Sequence, residues 1–176
     1  MDNSLEELLK VIEKANIIII NDEEALQLSG KNTLFNAADE ILKMGPEHVV
    51  IKKGEHGAML FNKEEFFTIP AYPVKQVKDP TGAGDTFAGG FAGYLSQNND
   101  LDFETLKLAV VHGTVMASFC VEGFGTSQME TLNKKTFQNR LKEFSVVVFS
   151  KHDFRKSRHF FIQISSFLNL HCQRIY

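Results

Sequence analysis

Apolar residues recur along this chain in two rhythms. Leu5, Leu8, Leu9 and Ile12 fall at helical spacing, and Ser4-Leu5-Glu6-Glu7 fits a capping box, a serine with a glutamate three residues on. Ile17, Ile18, Ile19 and Ile20 form a short, continuous, β-branched run, which predicts a fully buried strand. Residues 22–30 predict a short helix closed by Gly30, and residues 34–44 an amphipathic helix ended by Gly45-Pro46. A second buried strand is expected at 48–53, followed by a turn at Gly54-Glu55-His56-Gly57. Residues 58–61 and 65–70 predict a hairpin joined at Asn62-Lys63. Residues 75–79 predict a short strand leading into a glycine loop, and helices are expected at 85–97, 103–120 and 133–144.

Buried strands alternating with helices predict a layered α/β fold with a largely parallel sheet. In such sheets ligands sit beyond the carboxyl ends of the strands. Asn21 and Gly54 each open a segment that follows a predicted strand. The last stretch, 150–176, mixes aromatics, histidines and serines without a period and has no glycine or proline punctuation. It is either a packed, strand-like extension or sequence foreign to the rest, so the chain divides into 1–149 and a divergent tail at 150–176.

The bulk numbers narrow the function classes. With 176 residues, 43% of them hydrophobic, the chain can build one core. A net charge of −3 gives no reason to expect nucleic acid or an anionic membrane as partner. Cys120 and Cys172 form neither a disulfide framework nor a metal spacing, which fits a reducing, cytoplasmic setting. The histidines at 48, 56, 152, 159 and 171 show no zinc-like spacing. The opening MDNSLEELLK is polar and acidic, unlike a signal peptide, and the apolar runs are too short to span a bilayer.

The chemistry concentrates in DPTGAGDTF, residues 79–87. Backbone N–H groups in the first turn of a helix lack internal partners and carry partial positive charge. Glycines let that backbone approach an anion closely, so Gly82-Ala83-Gly84 can cradle a phosphate or developing negative charge. Asp85 beside it would repel a phosphate, but it suits a base that accepts a proton from an attacking hydroxyl. An anion hole next to a base is what phosphoryl transfer to an alcohol requires. The plainer alternative is a turn followed by an acidic first-turn residue.

DPTGAGDTFAGGFAGYL resembles the C-terminal signature of the ribokinase-like, phosphofructokinase-B type carbohydrate kinases, Asp-Thr-x-Gly-Ala-Gly-Asp-x-Phe, and departs from it at Pro80. The resemblance implies Asp85 as catalytic base and the amides of Gly82, Ala83 and Gly84 as anion hole. It places Asp79 in the neighbourhood of a monovalent cation. Asn21-x-x-Glu24 is similar to the family's Asn-x-x-Glu motif, which implies magnesium held at Asn21 and Glu24, through water; the alternative is a helix cap and a solvated acid. VVIKKGEHGAMLF resembles the strand and turn under the nucleotide, which implies ATP contacts at Gly54 and Gly57 and at Lys53 or Lys52, unless those lysines are simply solvated. AVVHGTVMASFCVEGFGT resembles the helix and loop beside the adenine, with His112 near the base and small residues such as Gly113 for close packing. That match points to a bacterial-type branch of sugar kinases. The alternative is that His112 is a packing residue.

The resemblance therefore implies an ATP- and magnesium-dependent kinase acting on a hydroxyl of a sugar or nucleoside. It begins in the middle of the family's pattern. The first glycine-rich signature, most of the sugar pocket and the small β lid have no counterpart, so a truncated copy is expected. An exposed sheet edge and exposed apolar helix faces should accompany it. Rival readings are a non-catalytic nucleotide-binding module, a vitamin kinase of the same superfamily, and a fragment that pairs with a separate N-terminal half. A homodimer is also open.

Overall fold

The computed structural model describes residues 3–148, apart from Asn99 and Thr126. The tail at 150–176, and a division at 149, lie outside the described residues. Two compact units are distinguished, Met1–Leu141 and Lys142–Tyr176. Of the second, only the last turns of one helix are described.

Four strands lie side by side in chain order: β1 (Ile17–Asn21), β2 (His48–Lys52), β3 (Ala58–Phe61) and β4 (Phe66–Ile69). β1 and β2 run parallel, in a register from Ile17↔His48 to Asn21↔Lys52. The other two pairings are antiparallel. The α/β class holds, but the described sheet is mixed rather than largely parallel. The reason is loop length: a parallel return needs about a dozen residues or more. Only the β1–β2 link, which carries α2 (Asp22–Ser29) and α3 (Leu34–Lys43), has them. The β2–β3 link is the Gly54–His56 helical turn, and the β3–β4 link is closed by Asn62, whose Oδ1 accepts the N–H groups of Glu64 and Glu65 at 2.8 and 2.7 Å.

Strand alternation sorts the core into two faces. Val49, Ile51, Met59 and Phe61 pack with Ala25, Ala37, Ala38, Ile41 and Leu42 of α2 and α3. The intervening His48, Val50, Leu60 and Phe67 face the other way, toward α5 (Phe103–Cys120). There His48 stacks on Phe103 at 6.4 Å, and the Lys107 ammonium lies 5.9 Å from the Phe67 ring. α5 is apolar almost all round because it is covered on both sides: by the sheet, and by α4 (Ala83–Leu95). α6 (Ser127–Thr131) and α7 (Lys134–Val148) follow.

Three local expectations are corrected. β1 is half-buried along its whole length rather than fully buried, because among the described residues it ends the sheet with a neighbour on one side only. Residues 75–79 form no strand: the N–H groups of Lys78 and Asp79 donate instead to the Val121 carbonyl beyond α5. Pro73 and Pro80 supply no donors for a ladder there. The first helix, α1 (Asn3–Lys14), already contains Ser4, so Ser4 does not stand at its cap. α1 anchors through buried Ile12, while Leu5, Leu8, Leu9 and Val11 are exposed. With the half-buried β1, this matches the expected open edge and apolar helix face.

Candidate functional site

The glycine loop enters α4 through Gly82, whose φ of 80° and ψ of −2° is a left-handed conformation that glycine adopts without strain. Cys120, at the end of α5, buttresses the loop, its Sγ 3.5 Å from the Thr81 carbonyl. The Ala83 N–H already donates to the Pro80 carbonyl at 3.2 Å. The N–H groups of Gly82, Gly84 and Asp85 have no acceptor among the described residues. The free donors are thus Gly82, Gly84 and Asp85, with Ala83 holding the turn. The Asp85 side chain is exposed and makes no hydrogen bond or ion pair among the described residues.

Close packing of α4 on α5 fixes this loop. A Cβ on Gly113 would meet the Phe87 carbonyl oxygen at 2.8 Å, and one on Gly90 would meet Met116 Cγ at 2.7 Å. Only bare backbone lets the two helices approach so closely, as the run of small residues implied.

Asp79 precedes the loop. Its Oδ1 accepts the Thr81 N–H at 2.9 Å. Hydrogen bonds from the Thr81 backbone and side chain hold its carboxyl below the usual carboxylate range, and the Gly125 backbone adds to this. Asp79 therefore ties the glycine loop to the loop after α5.

At the carboxyl end of β1, Asn21 and Glu24 form a reciprocal capping box. Asn21 Oδ1 accepts the Glu24 N–H at 2.7 Å, and Glu24 Oε2 accepts the Asn21 N–H at 2.8 Å. The helix-cap alternative is thus realised. Glu24 is exposed and keeps its second carboxylate oxygen. No group of three or more acidic, histidine or cysteine side chains among the described residues could hold a metal alone. One exposed carboxylate oxygen suits magnesium only as part of a hydrated ion that takes its other ligands from phosphates.

The β2–β3 turn places its glycines differently from one another. Gly57 has φ 88°, and a Cβ there would lie 2.0 Å from the Ile69 carbonyl oxygen, so packing between strand ends demands it. Gly54 has open space around it. Lys53 closes the turn with its backbone, its N–H donating to Gly57 O at 2.7 Å. Lys52 ends β2 in register with Asn21, on the face toward α4 and α5. A Cβ on Gly84 would meet Lys52 Nζ at 2.8 Å. Of the two lysines, Lys52 is the one seen against the glycine loop.

His112 lies elsewhere. Its ring sits 4.4 Å from Tyr94 and 5.4 Å from Phe137, and burial pushes its pKa down to about 4. Tyr94 is three turns along α4 from Ala83, about 16 Å at the helical rise. The structure brings Asn21, Lys52 and Gly84 to one end of the sheet and holds His112 away from it, among rings. Lys52 was legible only as one of two adjacent lysines; strand parity selects it.

Comparison with known proteins follows the same lines. A model of the pfkB family carbohydrate kinases matches residues 1–132. A cytidine kinase of Thermococcus kodakarensis is 39% identical over 105 residues, which are 58% of this chain and 37% of that protein. A nucleoside kinase of Methanocaldococcus jannaschii is 33% identical over 122 residues, 69% of this chain and 38% of that protein. Among solved structures, aminoimidazole riboside kinase from Salmonella enterica, complexed with aminoimidazole riboside and an ATP analog, superposes with a TM-score of 0.71 at 28% identity. That match covers 80% of this chain and 46% of the other. An Escherichia coli structure assigned as a ribokinase II, with ATP and Mg2+, gives 0.67 at 26% identity, over 78% of this chain and 42% of that one. The chain thus spans 37–38% of the length of these two curated relatives.

Proposed function

Because this chain belongs to the pfkB family of carbohydrate kinases, we propose that it carries the nucleotide cradle and base of an ATP-dependent phosphotransferase acting on a hydroxyl of a sugar or nucleoside. The observation that carries this reading is the exposed Asp85 carboxylate in the first turn of α4, beside three N–H groups without acceptors among the described residues. Asp85 takes the proton of the acceptor hydroxyl as its oxygen bonds to the terminal phosphorus of ATP. The bond from that phosphorus to the bridging oxygen breaks, and ADP leaves. The amides of Gly82, Gly84 and Asp85 donate to the transferring group, where preorganised donors act without reorganisation. Glu24 would hold hydrated magnesium through its second oxygen, with Asn21 fixing its position. When bound, that ion supplies positive charge to the nucleotide phosphates. Asp79 belongs with a monovalent-cation neighbourhood through its link to the Gly125 loop. Gly54 leaves room for the nucleotide, while His112, packed between Tyr94 and Phe137, lies away from the cradle.

The half-buried β1 edge and the exposed stripe of α1 favour a second reading. In it, a separate polypeptide segment or second copy covers this edge and completes the acceptor site, and the chain alone binds nucleotide without turnover. A reducing, cytoplasmic setting suits buried Cys120, which has no disulfide among the described residues. No described helix is long and apolar enough to cross a membrane.

Thermal melting of the 176-residue chain with and without Mg·ATP, followed by a phosphotransfer assay over sugars and nucleosides, tests both readings. An upward shift with turnover is the expected result for a kinase; a shift without turnover supports the binding module. A cooperative melt indifferent to Mg·ATP would overturn the nucleotide site.

A further inference from the structure

Residues 70–82 run up to α4 without strand or helix, so no ladder holds them. Their anchors lie at the end of α5. The Val121 carbonyl accepts the N–H groups of Lys78 and Asp79 at 2.8 and 3.4 Å, Cys120 Sγ reaches the Thr81 carbonyl at 3.5 Å, and the Gly125 backbone bonds Asp79. That helix end is itself loosely bonded. The N–H groups of Val121, Glu122 and Gly123 donate to the carbonyls of Ala117, Phe119 and Cys120 at 3.3, 3.3 and 3.2 Å, at the long end for such bonds. Arg140 of α7 grips both sides of the arrangement. Its guanidinium donates to Ser118 Oγ at 3.0 Å and pairs with Glu122 at 2.7 Å. It also lies 3.6 Å from the Phe119 ring centroid and 4.9 Å from that of Tyr72, in the segment that leads into the glycine loop. A charge-assisted pair of this length is stronger than the backbone bonds it supplements.

Resting on the phosphoryl-transfer reading above, we propose that Arg140 is a positioning residue for that reaction. By tying Ser118 and Glu122 to Tyr72, it fixes Cys120 and the Val121 carbonyl. Through them it fixes the direction of the free N–H groups of Gly82, Gly84 and Asp85. Such donors serve only where they already point at the charge, so a displacement of about 1 Å is strongly felt. A guanidinium suits the task, because its planar fork donates in several directions while its faces stack on rings. A lysine ammonium keeps the charge but cannot hold all four partners at once. Arg140 thus acts on the nucleotide through the loop and its anchors.

The test is equilibrium binding of Mg·ATP to the full chain and to Arg140→Met, Arg140→Lys, Glu122→Ala, the Arg140→Met/Glu122→Ala double variant and Leu42→Ala. Each is measured at a temperature where its melting curve shows it folded. Leu42 belongs to the core between the sheet and α3, so Leu42→Ala lowers stability without touching the loop. Arg140→Met should weaken Mg·ATP by about 10- to 100-fold, the scale of an ångström's misplacement. Leu42→Ala should melt lower and bind like the parent. Glu122→Ala should lose part of the same affinity, and the double variant little more than Arg140→Met, because the two residues form one tether. Arg140→Lys should recover part of the loss. Should Arg140→Met not fold, Arg140→Lys and Glu122→Ala against Leu42→Ala carry the same comparison. Parental affinity in Arg140→Met, an equal loss in Leu42→Ala, or independent losses that add in the double variant each overturns the assignment while leaving the nucleotide site standing. A parent chain that binds no Mg·ATP overturns the nucleotide site and this proposal together.

Discussion

Single residues divide into those that serve chemistry and those that serve packing, and substitution separates them. Asp85→Asn in an active form should lower kcat by about 10²- to 10⁴-fold, the range for a general base. ATP affinity should stay close to the parent's, because in the proposed mechanism the carboxylate meets the acceptor hydroxyl rather than the nucleotide. Steady-state kinetics decides it, and near-normal turnover would remove Asp85 from the mechanism. Gly57 responds differently. Gly57→Ala drives a methyl to 2.0 Å from the Ile69 carbonyl and holds a non-glycine residue at φ 88°. Urea unfolding should show a loss of about 2 kcal/mol or more. Gly89→Ala, on an exposed turn of α4 with nothing within 4 Å, should instead gain up to about 1 kcal/mol from helix propensity.

At the scale of elements, the end of α5 is stapled to α7 by Arg140. Its guanidinium lies 3.6 Å from the Phe119 ring centroid and 4.9 Å from that of Tyr72. It donates to Ser118 Oγ at 3.0 Å and pairs with half-buried Glu122 at 2.7 Å. Removing it strands Glu122 and strips two rings, so Arg140→Met should cost about 2 to 3 kcal/mol in denaturant unfolding. The exposed Lys43–Glu40 pair, at 3.3 Å, offers the contrast. Lys43→Met should change stability by no more than about 0.5 kcal/mol. An equal effect for the two variants would mean that Arg140 acts as a surface charge. The glycine loop hangs from the same helix end, through Cys120 and the Val121 carbonyl, so Arg140→Met should also weaken nucleotide binding.

For the molecule as a whole, the groups that burial keeps neutral set the response to pH. His112 titrates at about 4 in the folded chain against an ordinary 6.5, and burial also lowers the pKa of His48. The unfolded chain therefore binds protons at these sites before the folded chain does. Their contribution to stability is full above about pH 6.5 and should fall as pH drops toward about 4. His112→Gln should flatten that slope in urea titrations across the window, leaving the smaller contribution of His48. An unchanged slope would mean that the ring is solvated. At the alkaline end Tyr94, raised to about 12 chiefly by burial, opposes unfolding only while it stays protonated. Stability should fall as pH rises from about 10 toward 12.

The periodic elements were legible in the sequence because short-range physics dictates them. Apolar runs and helical rhythms located β2, β3, β4 and α2 to α5 to within a residue or two, and Gly30 and Asn62 closed their turns as their types demand; α6 was not foreseen, and α7 runs four residues past its expected end. The glycine loop and Asp85 were legible as well, since a donor-rich helix entry and a bare carboxylate are local features. Three matters depended on residues far apart in the chain. β1 reads as a buried strand by its own residues, yet its burial is decided by having β2 as its sole neighbour among the described residues. Residues 75–79 have strand-like composition, but the Val121 carbonyl, far along the chain, takes their donors. Asn21 and Glu24 bond to each other, which takes up one of the two Glu24 carboxylate oxygens. Lys52 and Lys53 are indistinguishable as letters. The sheet's parity, together with the approach of α4 made possible by Gly90 and Gly113, sets one of them against the cradle, because which face a strand residue occupies is settled only once the strand is paired and covered.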